Sequence, residues 1–237
     1  MGHRQRRRRG APGKRMTKPA LLFDLDGTML DTDAIHARVF ADMMAPYGIE
    51  VTHEFYIAKV HGRLNVDIFA EILPDLDDPQ GLSEAKEAEF RNRLPRPYPG
   101  MPGVQALVRA AEADGWRLAV VTNAMRANAE AMLQAIELRN AFEVIVIGEE
   151  CERGKPDPMP YLEAMRQLGV TPSHCIAFED SPSGMRAAAG SGAYAIGIRS
   201  SLDDATLRAA GARETLQDFK DISLDALCAR LKGETTT

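Results

Sequence analysis

The stretch FDLDGTMLDTD, residues 23–33, constrains this chain more than any other. Residues 18–22 begin an apolar run that reads as a short buried strand, and Gly27 lets the chain turn off its end. Asp24 and Asp26 therefore arrive at the carboxyl edge of a sheet. Side chains two apart on extended backbone point the same way, so both carboxylates are expected to face one small volume. Their repulsion there calls for a cation, and Mg²⁺ suits it. A carboxylate is also a competent nucleophile toward phosphorus, and a second, protonated part of the time, can serve the leaving oxygen. The plain alternative is a turn whose Asp side chains only accept local backbone hydrogen bonds.

The pattern changes on either side of residue 95. Residues 34–47 carry Ile35, Val39, Phe40, Met43 and Met44 at helical spacing and stop at Gly48. Residues 52–60 and 65–73 read as two more helices, the second halted by Pro74, and Ser83 is expected to cap a fourth running to about Leu94. Pro95, Pro97, Tyr98, Pro99 and Gly100 then stiffen a return link. From Met101 on, helical segments alternate with short apolar runs at 117–122, 144–147, 175–178 and 193–198. Parallel strands need crossovers, so this alternation predicts an α/β fold: a Rossmann-like parallel sheet core with helices on both faces. The domains expected are a core of residues 18–32 and 99–237 and an inserted all-helical cap of 33–98, joined by linkers near 31–33 and 95–100. The cap would sit over the carboxyl edge, where open α/β sheets bind ligands. Residues 203–231 read as a helix, a polar connection and a closing helix.

Composition sets broad limits. A net charge of −5 gives no reason to expect a nucleic-acid partner, and no apolar run approaches the ~20 residues of a membrane helix. Three cysteines at unrelated spacings argue against a disulfide framework and fit a reducing cytoplasm. Residues 1–17, with Arg4, Arg6, Arg7, Arg8, Arg9, Lys14 and Arg15, read as a disordered leader upstream of a start at Met16. A transit peptide would carry more Ser and an amphipathic apolar face.

Three later segments carry chemistry, each with a bland counterpart. Thr122-Asn123 ends a strand before a helix, suited to hold phosphate oxygens or simply to cap the helix. Lys155 sits in GKPDP, where two prolines fix the loop; its ammonium either offsets a phosphoryl group and a carboxylate nucleophile or is solvated. Glu179-Asp180 precede Ser181-Pro182-Ser183-Gly184 at a helix start, completing an all-oxygen Mg²⁺ shell or favouring the helix dipole.

Together DLDGT, Thr122, Lys155 in GKPDP and Glu179-Asp180 in FEDSPSG resemble, in type and order, the four motifs of the haloacid dehalogenase-like hydrolases, over residues 21–198. The position of the helical insert is similar to the cap class of β-phosphoglucomutases, phosphoglycolate phosphatases and sugar or polyol phosphatases. The resemblance implies that Asp24 attacks phosphorus to form an aspartyl-phosphate, while Asp26 protonates the leaving oxygen and later deprotonates water. It implies Mg²⁺ held by Asp24, the backbone carbonyl of Asp26, Asp180 and Glu179, with Thr122, Lys155 and Asn123 on the phosphoryl group. His36, His61, Gly62 and Arg63 are the cap's candidate substrate contacts, His61-Gly62-Arg63 resembling the cap loop of sugar-phosphate phosphatases; a basic helix connection is the alternative. Dehalogenases lack the second carboxylate and phosphonatases replace it with a small residue, so Asp26 argues against both, despite Lys59 in the cap. The expected function is a Mg²⁺-dependent phosphatase of a small phosphate monoester, monomeric or weakly dimeric. The alternatives are a β-phosphoglucomutase-like phosphomutase and a catalytically silent binding protein.

Overall fold

The computed structural model describes residues 18–60 and 63–233. Strand β1 (Ala20–Phe23) leads into the helices α1 (Asp33–Met44), α2 (His53–Lys59), α3 (Asn65–Ile72) and α4 (Pro79–Arg93). The alternating part follows: α5 (Val104–Ala113), β2 (Arg117–Thr122), α6 (Arg126–Ala135), β3 (Val144–Ile147), α7 (Met159–Leu168), β4 (Cys175–Glu179), α8 (Pro182–Gly190) and β5 (Tyr194–Ile198). The chain closes with α9 (Asp204–Ala209), β6 (Glu214–Leu216) and α10 (Leu224–Lys232). The expected α/β sheet with helices on both faces is present. All strands run parallel in the order β3-β2-β1-β4-β5-β6.

Burial explains the apolar strands. On β1, Leu21 and Phe23 join one cluster with Val104, Leu107 and Leu227, while Ala20 and Leu22 join the opposite one with Tyr161, Ala164 and Met185. Both faces are covered, so the strand reads as continuous rather than alternating apolar sequence. Phe23 stacks on Phe178 of the neighbouring β4 at 5.0 Å between ring centroids, which keys the two strands that carry most of the site.

The helical insert has its own cluster of Phe40, Met44, Tyr56, Val60, Ile68 and Phe69. Helix α4 differs, because its Phe90 joins the core cluster that holds Leu25 and Met29. The outgoing and returning links are tied together where Tyr98 Oη donates to the Asp31 carbonyl (2.7 Å) and Met101 N to the Met29 carbonyl (2.7 Å).

Two expectations need correction. Helix α4 starts at Pro79, not near Ser83; Asp78 Oδ1 accepts from Gly81 N at 2.8 Å, and Pro79 takes the first turn, where no N–H is needed. The polar connection near the carboxyl end contains β6, three half-buried residues that pair with β5 at the sheet's edge. So short a strand with one polar flank carries almost no periodic signal.

Candidate active site

Parallel register assembles the site. Phe23 lies between Val120 and Phe178, so the next residue, Asp24, meets Val121 on one side and Glu179 on the other. Asp24 N donates to the Phe178 carbonyl at 3.0 Å, carrying the pairing one residue past the strand. Lys155, from the loop after β3, threads its ammonium into this gap. It donates to Asp24 Oδ1 (2.7 Å), Glu179 Oε1 (2.6 Å) and the Val121 carbonyl (2.7 Å), with only 4% of its side chain exposed. The solvated reading of Lys155 is thereby excluded. Burial alone pulls the ammonium's pKa down, but the charges of Asp24 and Glu179 override it and hold the group above its ordinary value.

Asp180 completes the carboxylates. Thr28 Oγ1 donates to its Oδ1 (3.3 Å) and Ser200 Oγ to its Oδ2 (3.2 Å). Asp24, Glu179 and Asp180 each offer an oxygen, and these lie within 4.8 Å of one another. Two glycines allow the crowding: a Cβ on Gly27 would stand 2.1 Å from Asp180 Oδ2, and one on Gly184 1.9 Å from Glu179 Oε1. Burial lifts Glu179 to about 7, Lys155 opposing and Asp24 adding to the rise, and it lifts Asp180 well above its ordinary value with Asp24 and Glu179 contributing. Three carboxylates around one ammonium leave excess negative charge in little solvent. An all-oxygen donor set of this kind fits a hard divalent cation. Glu179 is the most committed of the three, since Tyr161 Oη (2.9 Å) and Lys155 hold Oε1 and Ser181 Oγ (3.3 Å) donates to Oε2.

The two carboxylates of the opening motif face adjoining spaces rather than one. The Leu25 carbonyl accepts from Thr28 N and Met29 N, turning the chain at once, so the extended geometry behind the expectation ends at Asp24. Asp26 swings toward the helical insert. Thr32 Oγ1 lies 2.7 Å from each of its oxygens and Thr32 N 3.2 Å from Oδ1. The Asp26 side chain is not among the three clustered carboxylates, so only its backbone carbonyl is left for the metal role expected of it. Burial pushes the Asp26 carboxyl up to about 7 against the pull of Thr32, with Asp33 and Asp24 adding to the rise. Its side chain keeps 30% exposure, so solvent moderates this shift without reversing it.

Thr122 is buried, and its Oγ1 accepts from Ala124 N at 3.1 Å. It does not cap α6, which begins four residues later with Met125 before it. Asn123 is exposed at the same edge, beside Gly148, where a Cβ would come 2.1 Å from its Oδ1.

The insert contributes unevenly. His36 of α1 stacks on Phe90 at 3.9 Å, with Nε2 3.7 Å from Asp26 Oδ2 and Nδ1 2.7 Å from Lys86 Nζ. Burial and the Lys86 charge hold its pKa down to about 4, so near neutral pH it meets Asp26 as a neutral ring, not as half of an ion pair. Arg63 turns instead to Glu71 (2.8 Å), which also takes Lys59 (2.9 Å). His61 and Gly62 lie outside the described residues.

Sequence reasoning missed Thr28, Thr32, Lys86, Glu87, Asn128, Tyr161 and Ser200. One signal was present for two of them. Phe90 lies three and four residues beyond Glu87 and Lys86, so the helix period sets both beside a buried aromatic and not on a solvated face.

A family model described as haloacid dehalogenase-like hydrolase matches residues 21–198. Protein CbbY of Rhodobacter capsulatus is 34% identical over 191 residues, 75% of this chain and 83% of that protein. A phosphorylated carbohydrates phosphatase of Thermotoga maritima is 30% identical over 188 residues, 78% and 87% of the two chains. Among solved structures, a family IA, variant 3 hydrolase from Entamoeba histolytica superposes with a TM-score of 0.80 at 27% identity, covering 90% of this chain and 99% of that one. Fold and site define a hydrolase with a helical cap over a Rossmann-like core. The chain belongs to the haloacid dehalogenase-like hydrolases.

Proposed function

We propose that this enzyme is a Mg²⁺-dependent phosphatase of a small phosphate monoester, a sugar or polyol phosphate, working through an aspartyl-phosphate on Asp24. One observation carries the reading: Asp24 stands at the end of the central strand, charge-paired to a buried lysine, while Asp26 faces the helices from which a leaving group would approach. The carbohydrate-phosphate activity named for the Thermotoga relative supports the substrate class.

In this scheme a carboxylate oxygen of Asp24 attacks phosphorus. The ester P–O bond breaks, its electron pair stays on the leaving oxygen, and Asp26 supplies the proton. With its raised pKa, Asp26 is protonated in part of the population near neutral pH, as a general acid requires. Asp26, now ionised, takes a proton from water as that water attacks phosphorus, which releases inorganic phosphate and restores Asp24. Thr122, Lys155 and Asn123 bind the phosphoryl oxygens, and Lys155 also orients Asp24. Asp24, Asp180, the Asp26 carbonyl and, in direct or outer contact, Glu179 would hold Mg²⁺, which supplies charge neutralisation for the transferring group. Residues 33–98 act as the cap on their two tied links, with His36 beside Asp26 and with His61, Gly62 and Arg63 as candidate substrate contacts, Arg63 on release from Glu71. Three free cysteines, Cys151, Cys175 and Cys228, suit a reducing cytoplasm.

The test is Mg²⁺-dependent phosphate release across phosphorylated sugars and polyols, with Asp24→Asn as control. The variant is expected to fold and to lose turnover by more than about 10⁴-fold, since uncatalysed monoester hydrolysis is among the slowest reactions known. Release at the wild-type rate from Asp24→Asn would sink the scheme. Interconversion of sugar phosphate isomers with little release would favour the phosphomutase.

A further inference from the structure

Helix α4 carries a buried polar group that the reaction does not use. Glu87 is 8% exposed, Lys86 5% and Asn128, on core helix α6, 4%. Glu87 Oε1 accepts from Lys86 Nζ (2.8 Å) and from Asn65 Nδ2 (2.6 Å), and Oε2 accepts from Asn128 Nδ2. Asn128 Oδ1 in turn accepts from Arg91 NH1 (2.7 Å), one turn further along α4. The amide is used at both ends, its NH₂ toward a carboxylate and its oxygen toward a guanidinium. Burial opposes ionisation of Glu87, yet Lys86, His36 and Asn128 outweigh it and hold the carboxyl below its ordinary range. A charge buried in this way is tolerable only while its donors stay in place.

Glu87 therefore joins three regions. Asn65 opens α3, directly after the cap loop; Asn128 lies on α6, which follows Thr122-Asn123; and Lys86 leads through His36 to Asp26. We propose that Glu87 is a positioning residue which, with Asn128, latches the cap onto the core in the register that holds Lys86 on His36 and His36 beside Asp26.

The kinetic arm of the test rests on the phosphatase reading; the exchange arm does not. Asn128→Ala removes the latch while leaving Lys86 and Asn65 on Glu87. It is expected to speed amide hydrogen exchange along the facing parts of α4 and α6 and leave the interior of α1–α3 unchanged. On the best substrate of the wild type, KM should rise about tenfold with kcat within about twofold, because the binding-competent fraction falls while the seated state is unaltered. Glu87→Gln, nearly isosteric, should raise KM similarly and lower kcat as well, since Lys86 loses its partner. The double variant should match Glu87→Gln alone, not the product of the two effects. Wild-type exchange and KM in Asn128→Ala, loss of kcat alone in that variant, or multiplicative effects in the double variant would each overturn the latch. If the wild type releases no phosphate, the function fails and exchange in Asn128→Ala still decides the latch. If Glu87→Gln does not fold, the Asn128→Ala arm decides.

Discussion

The carboxyl edge of the core and the face of the cap are held by different physics. At the edge, backbone register fixes each functional group: Asp24, Thr122 and Glu179 sit at or just past the ends of three neighbouring parallel strands, and a lysine with 4% of its side chain exposed ties two of them. On the cap, helices are positioned by side-chain contacts, some buried, as at Glu87, and some open to solvent, as at Glu71. On the proposed function, strands that cannot shift without breaking the sheet would set the chemistry, and contacts that can be exchanged would set substrate selection. A change at the edge should be catastrophic, and one on the open cap face graded.

After the loss of turnover in Asp24→Asn, Lys155→Ala is expected to have the largest effect. It leaves Asp24 and Glu179 facing each other without their cation, which should cost about 3–5 kcal/mol of stability in the metal-free protein. Activity should fall about 10³-fold, as when a donor to developing charge is lost. Chemical denaturation and initial rates check both, and a stable, active variant would break the comparison at its stronger side.

Next comes the linkage between protons and metal. Folded Asp26 and Glu179 are lifted to about 7 and Asp180 is lifted as well, against ordinary carboxyl values near 4. Between about pH 4 and 7 the folded chain thus binds more protons than the unfolded chain, so metal-free stability falls as pH rises across that window. His36, held down to about 4, works the other way between about pH 4 and 6.5, one group against three. A cation beside Glu179 and Asp180 would offset the burial and the neighbouring negative charge that raise their values. The thermal shift produced by Mg²⁺ should accordingly grow from pH 5 to pH 8; a shift that is constant or shrinks would contradict the assignment of these carboxylates to the metal.

The smallest expected effect is on the cap. Arg63 pairs with Glu71 where the side chains are 38% and 42% exposed, so Arg63→Ala should change stability by less than about 0.5 kcal/mol. If Arg63 leaves Glu71 for the substrate, KM should rise by up to about tenfold with kcat unchanged. Equal kinetics on every substrate would remove it from the recognition set.

How legible each part was follows from the same contrast. DLDGT, Thr122, GKPDP and FEDSPSG could be found because a strand end delivers its chemistry within a few consecutive residues. Strand alternation gave away the sheet, apart from β6, too short and polar to register. For Lys86 and Glu87, within SEAKEAEF, the period gives only the nearness to Phe90, because the partners that satisfy them, His36 on α1 and Asn128 on α6, lie far away in sequence. Tyr161 was hidden for a similar reason: it lies on α7 and its partner Glu179 on β4, and nothing local distinguishes it from a core aromatic. The divergence of Asp24 and Asp26 came from one turn at Leu25 that a strict two-residue period ignores.

The central claim is that Asp24 carries the phosphoryl group. Rapid acid quench under single-turnover conditions, followed by peptide mass mapping, tests it directly. The account predicts a transient phosphoryl adduct on the peptide that contains Asp24, absent from Asp24→Asn. Phosphate release with no such adduct at any quench time, together with release from Asp24→Asn, would contradict it.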